Sequence, residues 1–143
     1  MTNDPYNLQR FLEAQHGLFD RALSELRAGR KQSHWMWFVF PQLAGLGRSS
    51  PEQLYAIRSS EEAQAYLAHD LLGPRLRQAT QALLPWAGKR SAEQILGPVD
   101  AMKLRSSLTL FDAIEPRSSF ARALADFFDG PDMRTLALLN EGR

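Results

Sequence analysis

Helix start signals recur along this 143-residue chain at intervals that leave room only for short helices. Asn3 or Asp4 precedes Pro5 and Ser50 precedes Pro51. Ser59-Ser60-Glu61-Glu62, Ser91-Ala92-Glu93-Gln94, Asp100, Ser118-Ser119 and Asp132 repeat the signal. Each places a side-chain oxygen where it accepts from the free N–H groups of a first helical turn. Proline fits there because its missing N–H has no helical partner to lose. Stops answer the starts: Gly29 ends the first segment, Pro41 the second, and Gly88, Gly97-Pro98 and Gly130-Pro131 later ones. Glycine supplies the left-handed cap, and proline disfavours helix in the residue before it. Between these marks apolar residues return at three- and four-residue steps. Leu8, Phe11, Leu12, Gln15, Phe19, Ala22, Leu23 and Leu26 form the first stripe, as one long helix or two hinged at His16-Gly17. Leu76, Ala79, Leu83 and Leu84 form another, as do Leu104, Leu108 and Phe111, and Phe120, Leu124, Phe127 and Phe128. The expected architecture is one compact all-α domain over residues 1–143, with seven or eight short helices.

Composition narrows the functions such a domain can serve. With 44% hydrophobic and 23% charged residues the chain reads as a soluble globular protein. A formal charge of +1 gives no field that would demand a polyanion, so nucleic acid is disfavoured as a partner. The absence of cysteine removes disulfides, thiolate catalysis and cysteine-ligated metals. His16, His34 and His69 share no ligand spacing, and no metal site is expected. The opening MTNDPYN has neither a basic head nor an apolar run, and no stretch reaches the ~20 apolar residues of a membrane span. No membrane association and a cytoplasmic location are the resulting expectations.

One stretch stands apart, Lys31 to Ser50, KQSHWMWFVFPQLAGLGRSS, which holds two of the three tryptophans. Read as a strand it would be apolar on both faces, and the chain offers it no partner strand. It reads better as a short buried helix, Trp35 to Val39, capped by Ser33 and stopped before Pro41. A loop turning on Gly45 and Gly47 follows. Lys31, Ser33 and His34 at its start would make an anion cradle with the first helical N–H groups. An imidazole buried beside this run would need a partner, which makes His34 a candidate general acid or base. Trp35 or Trp37 would stack on a ligand ring. Gln42, Gly45, Gly47 and Arg48 allow close backbone approach and a bidentate grip on phosphate or carboxylate. This is no P-loop, since the Gly-Lys-Ser/Thr ending and the preceding strand are missing. Downstream, Asp100, Lys103 and Ser107 share one helix face, and a Ser–Lys pair can serve as nucleophile and base. Lys103 therefore joins His34 as a catalytic candidate. The plainer reading makes the aromatic run core, Ser33 a cap, the glycine loop a turn and the Asp100–Ser107 segment helix surface.

The segments SHWMWFVFPQLAGLG, AQHGLFDRALSELRAGRK, YLAHDLLGPRLR, ILGPVDAMKLRSSLTLF and FFDGPDMRTLALL, taken together, resemble a known family. It is a widespread group of uncharacterised bacterial and fungal proteins, catalogued as domain of unknown function number eighteen-ten and sometimes labelled calpastatin. The calpastatin label is empty, because calpain inhibition belongs to long disordered repeats and this chain is compact and apolar. The resemblance implies a compact multihelical fold and supplies no activity, cofactor or catalytic residue. It also implies that two segments form one site. Lys31, Ser33, His34, Trp35, Trp37, Phe40, Pro41, Gln42, Gly45 and Gly47 would come from the first, and Asp100, Lys103, Ser106, Ser107 and Phe111 from the second.

Two functional expectations follow. The leading one is a small-molecule site for an anionic, nucleotide-like ligand, built from residues 31–49 and the 100–111 helix, with catalysis left open and no cofactor named. The alternative is a protein-interaction module whose aromatic run is structural core.

Overall fold

The computed structural model describes residues 3–142. Met1 and Thr2, which begin the segment read for a leader, and Arg143 lie outside the described residues. Among the described residues ten α-helices follow one another: α1 (Gln9–Gln15), α2 (Phe19–Arg27), α3 (Met36–Val39), α4 (Ser50–Leu54), α5 (Ser60–Ala68), α6 (Leu72–Leu83), α7 (Ala92–Leu96), α8 (Pro98–Ile114), α9 (Ser119–Phe127) and α10 (Met133–Asn140). A 3-10 turn, Leu84–Trp86, extends α6. The all-α class is as expected. The count exceeds seven or eight, and the first stripe forms two helices divided at Gly17, where φ is 72°. Among the described residues the β structure is a single parallel bridge between Leu43 and Ile57.

Most start signals act where the sequence puts them. Ser59, Ser91, Ser118 and Asp132 each accept from a first-turn N–H, and Ser91 with Gln94 makes a complete capping box. Three expectations need correcting. Ser49, not Ser50, caps α4, in reciprocal contact with Glu52. Ser33 caps nothing: α3 begins at Met36 behind Trp35, and the Ser33 hydroxyl is bonded to Glu25 instead. Asp100 is not a cap either. Pro98 takes the first position of α8 behind Gly97, whose φ of 89° suits only glycine, so Asp100 falls in the first turn with its carboxylate free for other partners.

The long helix α8 runs through the interior. Ala101, Leu104, Ser107, Leu108, Leu110 and Phe111 are all buried, too wide an arc for a surface helix, and α5, α7, α9 and α10 pack around it. A line of rings crosses the core: Phe11 meets Tyr66 edge-on with centroids 5.0 Å apart, Tyr66 meets Phe111 at 5.5 Å, and Phe111 meets Phe120 at 5.9 Å. Trp35, Met36, Phe38, Val39 and Phe40 belong to the same core, so the aromatic run is mostly packing. Gln15 ties it to the helices around it, donating to the Phe38 carbonyl at 2.6 Å and accepting from Arg75.

Candidate functional site

The segment entering α3 is shaped by a residue that the sequence reading passed over. Glu25 lies on the buried face of α2, and its carboxylate collects the Gln32 N–H, the Ser33 N–H, the Ser33 hydroxyl and the Trp35 indole N–H at 2.6 to 3.0 Å. Burial alone would raise its pKa. The hydrogen bonds to the charged form outweigh that and hold it at about 2. The signal was present: Glu25 sits three residues after Ala22 and next to Leu26, at a core position of an otherwise apolar stripe. An ionised side chain there must collect donors. Behind it, Gly29 in the left-handed region closes α2 with a Schellman pair of bonds, from Gly29 N–H to the Leu26 carbonyl and from Arg30 N–H to that of Glu25.

This turn delivers Lys31 to α8. Its backbone N–H donates to the Ile95 carbonyl at 2.8 Å, its Nζ lies 2.9 Å from Asp100 Oδ2, and the ammonium sits 5.2 Å from the Trp35 ring centroid. From α8, Lys103 Nζ approaches the other oxygen of Asp100 at 3.5 Å and lies 5.4 Å from the Trp37 ring. The result is a carboxylate between two ammonium groups, each over an indole face. The Lys31, Lys103 and Asp100 side chains are only 10%, 15% and 19% exposed. Three side-chain polar atoms are buried without a hydrogen-bond partner among the described residues: the Trp37 indole N–H, the Ser107 hydroxyl and, further along α8, Asp112 Oδ1. Ser107 lies one turn beyond Lys103 on α8.

The structure thus brings Lys31, Trp35, Trp37, Asp100 and Lys103 together. Ser33 serves this group indirectly, through Glu25. The remaining candidates lie elsewhere or stay at its margin. His34 is exposed, contrary to the buried imidazole that was expected. The Gln42 carbonyl accepts from the Ile57 N–H, the Gly45 carbonyl from Arg134, and the Arg48 carbonyl from Gln53, so the glycine loop is anchored on α4 and α10. A Cβ at Gly47 would overlap Glu52, which explains that glycine by packing. Ala44, Gly45, Gly47 and Arg58 line a separate cleft of about 360 Å³. No hydrogen bond or ion pair among the described residues joins this loop to Lys31, Asp100 or Lys103. Among them there is also no group of three or more His, Asp or Glu placed to hold a metal ion, and no helix long and apolar enough to cross a membrane.

Fold and cluster together define an all-helical protein with a lysine–carboxylate–lysine group between the turn after α2 and the central helix α8. Residues 5–139 match the family described as protein of unknown function (DUF1810), and the chain belongs to that family. The chain is similar to a solved structure, the conserved hypothetical protein Rv1873 from Mycobacterium tuberculosis. The two are 51% identical with a TM-score of 0.89, over 96% of this chain and 99% of that one. No curated protein matches the sequence.

Proposed function

We propose that the Lys31–Asp100–Lys103 cluster seats the anionic group of a small molecule, with Trp37 supplying a stacking face and an indole N–H for a nucleotide-like ligand. One observation carries this reading: two largely buried ammonium groups share one carboxylate, and among the described residues no second carboxylate lies within ion-pair distance of either. An unmatched charge away from water is costly, so a phosphate or carboxylate arriving there gains more than it would on an exposed lysine. The unpartnered Trp37 N–H is a donor whose satisfaction adds to that gain. If chemistry follows binding, Lys103 within the cluster and His34 at its edge are the groups to test for proton transfer.

The experiment is a titration of nucleotides and phosphorylated metabolites followed by tryptophan fluorescence. Lys103→Ala should fold and should weaken binding by about ten- to a hundredfold, the worth of one charged hydrogen bond at ~1.5–3 kcal/mol. A broad panel without a ligand, together with a loss of stability in Lys103→Ala, would make the cluster structural.

A second reading, a protein-interaction module, has its own observation. Val99, Met102 and Met133 are 65%, 72% and 70% exposed, and the Ser106–Asp132 hydrogen bond holds the start of α10 against the middle of α8. Retention of a partner by the wild type but not by Met102→Glu would favour it.

A further inference from the structure

We propose a second ligand site, remote from the lysine cluster, that takes a nucleoside monophosphate. It is the cleft of about 440 Å³ between the end of α2 and the junction of α6 with the 3-10 turn, lined by Arg27, Gln78, Gln81, Pro85, Trp86 and Lys89. Neither Lys31, Asp100 nor Lys103 lines it, and no carboxylate does. That volume lies within the ~300–1,000 Å³ of small-molecule sites.

Three features select the ligand. The first is charge. Arg27 ends α2, where its plain role would be to offset the helix carbonyls. Those carbonyls are already engaged: Leu26 accepts from Gly29 N–H and from the Trp86 indole at 3.2 Å, Glu25 from Arg30 N–H, and Gly29 from Arg90 at 2.8 Å. Arg27 and Lys89 thus face the cleft as two cations without an acid among its lining residues, suited to a dianion.

The second feature is the ring. Trp86 is fixed by its bond to Leu26 and by Gly29, where even a methyl group would meet the ring at 2.6 Å. Its N–H is spent and the Arg90 guanidinium lies over the ring, 4.9 Å from the centroid, so what Trp86 offers the cleft is the part of its apolar surface that Gly29 and Arg90 leave open, on which a base can stack. The third is the pair of glutamines. Gln78 and Gln81 stand three residues apart on one face of α6, and each amide can both donate and accept. This suits the edge of a heteroaromatic ring, which mixes donors and acceptors, better than a bare phosphate. A polyanion is the poorer fit, because a net charge of +1 gives it no broad basic surface to follow.

The test uses ¹H–¹⁵N spectra of the whole protein with AMP, UMP, adenosine and inorganic phosphate as probes. AMP or UMP should shift the Trp86 indole N–H and the Gln78 and Gln81 side-chain amides saturably. Adenosine and phosphate should each bind at least about tenfold more weakly. The double variant Arg27→Gln/Lys89→Gln should lose at least about tenfold in affinity, whereas Lys103→Met should bind these probes at Trp86 as the wild type does. Signals unmoved by AMP and UMP at millimolar concentration would overturn the proposal. So would equal binding of phosphate and AMP, or unchanged binding by the double variant. Because Lys103→Met separates the two sites, failure here leaves the reading of the lysine cluster standing, and the reverse also holds.

Discussion

Asp100 is the carboxylate that Lys31 and Lys103 share, so removing it leaves two largely buried ammonium groups facing each other. Asp100→Asn should therefore destabilise the protein by about 1–3 kcal/mol in urea, with added phosphate recovering part of the loss. Lys103→Met should stay within about 1 kcal/mol of wild type, because it leaves a matched Lys31–Asp100 pair and keeps an apolar stem over Trp37. Equal damage from both variants would mean that the second lysine is needed for folding. Glu25 makes a separate prediction. Its pKa falls from 4.5 to about 2 on folding, so its stabilisation is fully present above about pH 4.5 and is lost as the pH drops toward 2. Wild type should exceed Glu25→Gln by on the order of 2–3 kcal/mol at neutral pH. The gap should close between about pH 4.5 and pH 2, as urea denaturation at stepped pH would show.

At the scale of the elements, local chemistry explains most of the helices and fails at two informative places. Ser59, Ser91, Ser118 and Asp132 cap as a single-sequence rule expects, and Asp132 does so while also accepting from the Ser106 hydroxyl. Ser33 and Asp100 carry the same signal and do not cap. Their oxygens are taken by Glu25 and Lys31, from α2 and from the segment that follows it, and no local pattern reveals such a claim. Glycines divide in a similar way. A Cβ at Gly73 would overlap the Leu67 carbonyl oxygen at the end of α5, whereas one at Gly88 would meet nothing within 4 Å. Gly73→Ala should thus force α5 and α6 apart and cost about 2–4 kcal/mol. Gly88→Ala, strained only by its φ of 78°, should cost about 1 kcal/mol. Thermal melts of the two variants would rank them, and the reverse order would contradict the packing of α5 on α6.

Over the whole molecule, the all-helical class and the buried character of Phe38, Val39 and Phe40 were legible from spacing and punctuation. The composition of the site was legible only in part. Lys31, Asp100, Lys103, Trp35 and Trp37 were each singled out, but their meeting depends on α7 and α8 folding back onto the turn after α2. His34 and Arg48 looked equally able to do chemistry, and their exposure is a tertiary outcome that residue type does not encode. The three tryptophans offer a direct reading of the central claim. The Trp35 indole N–H is bonded to Glu25 and that of Trp86 to the Leu26 carbonyl, while that of Trp37 is buried without an acceptor among the described residues. Three indole resonances are therefore expected, and ligand binding at the cluster should move the Trp37 signal downfield as its N–H gains an anionic acceptor. The deciding measurement is this indole spectrum, recorded for wild type and Lys103→Met across a panel of nucleotides and phosphorylated metabolites. The proposed site is supported by a saturable downfield shift of Trp37 in the wild type that is lost in Lys103→Met. A Trp37 resonance unmoved by every member of the panel, or moved equally in both proteins, would contradict it.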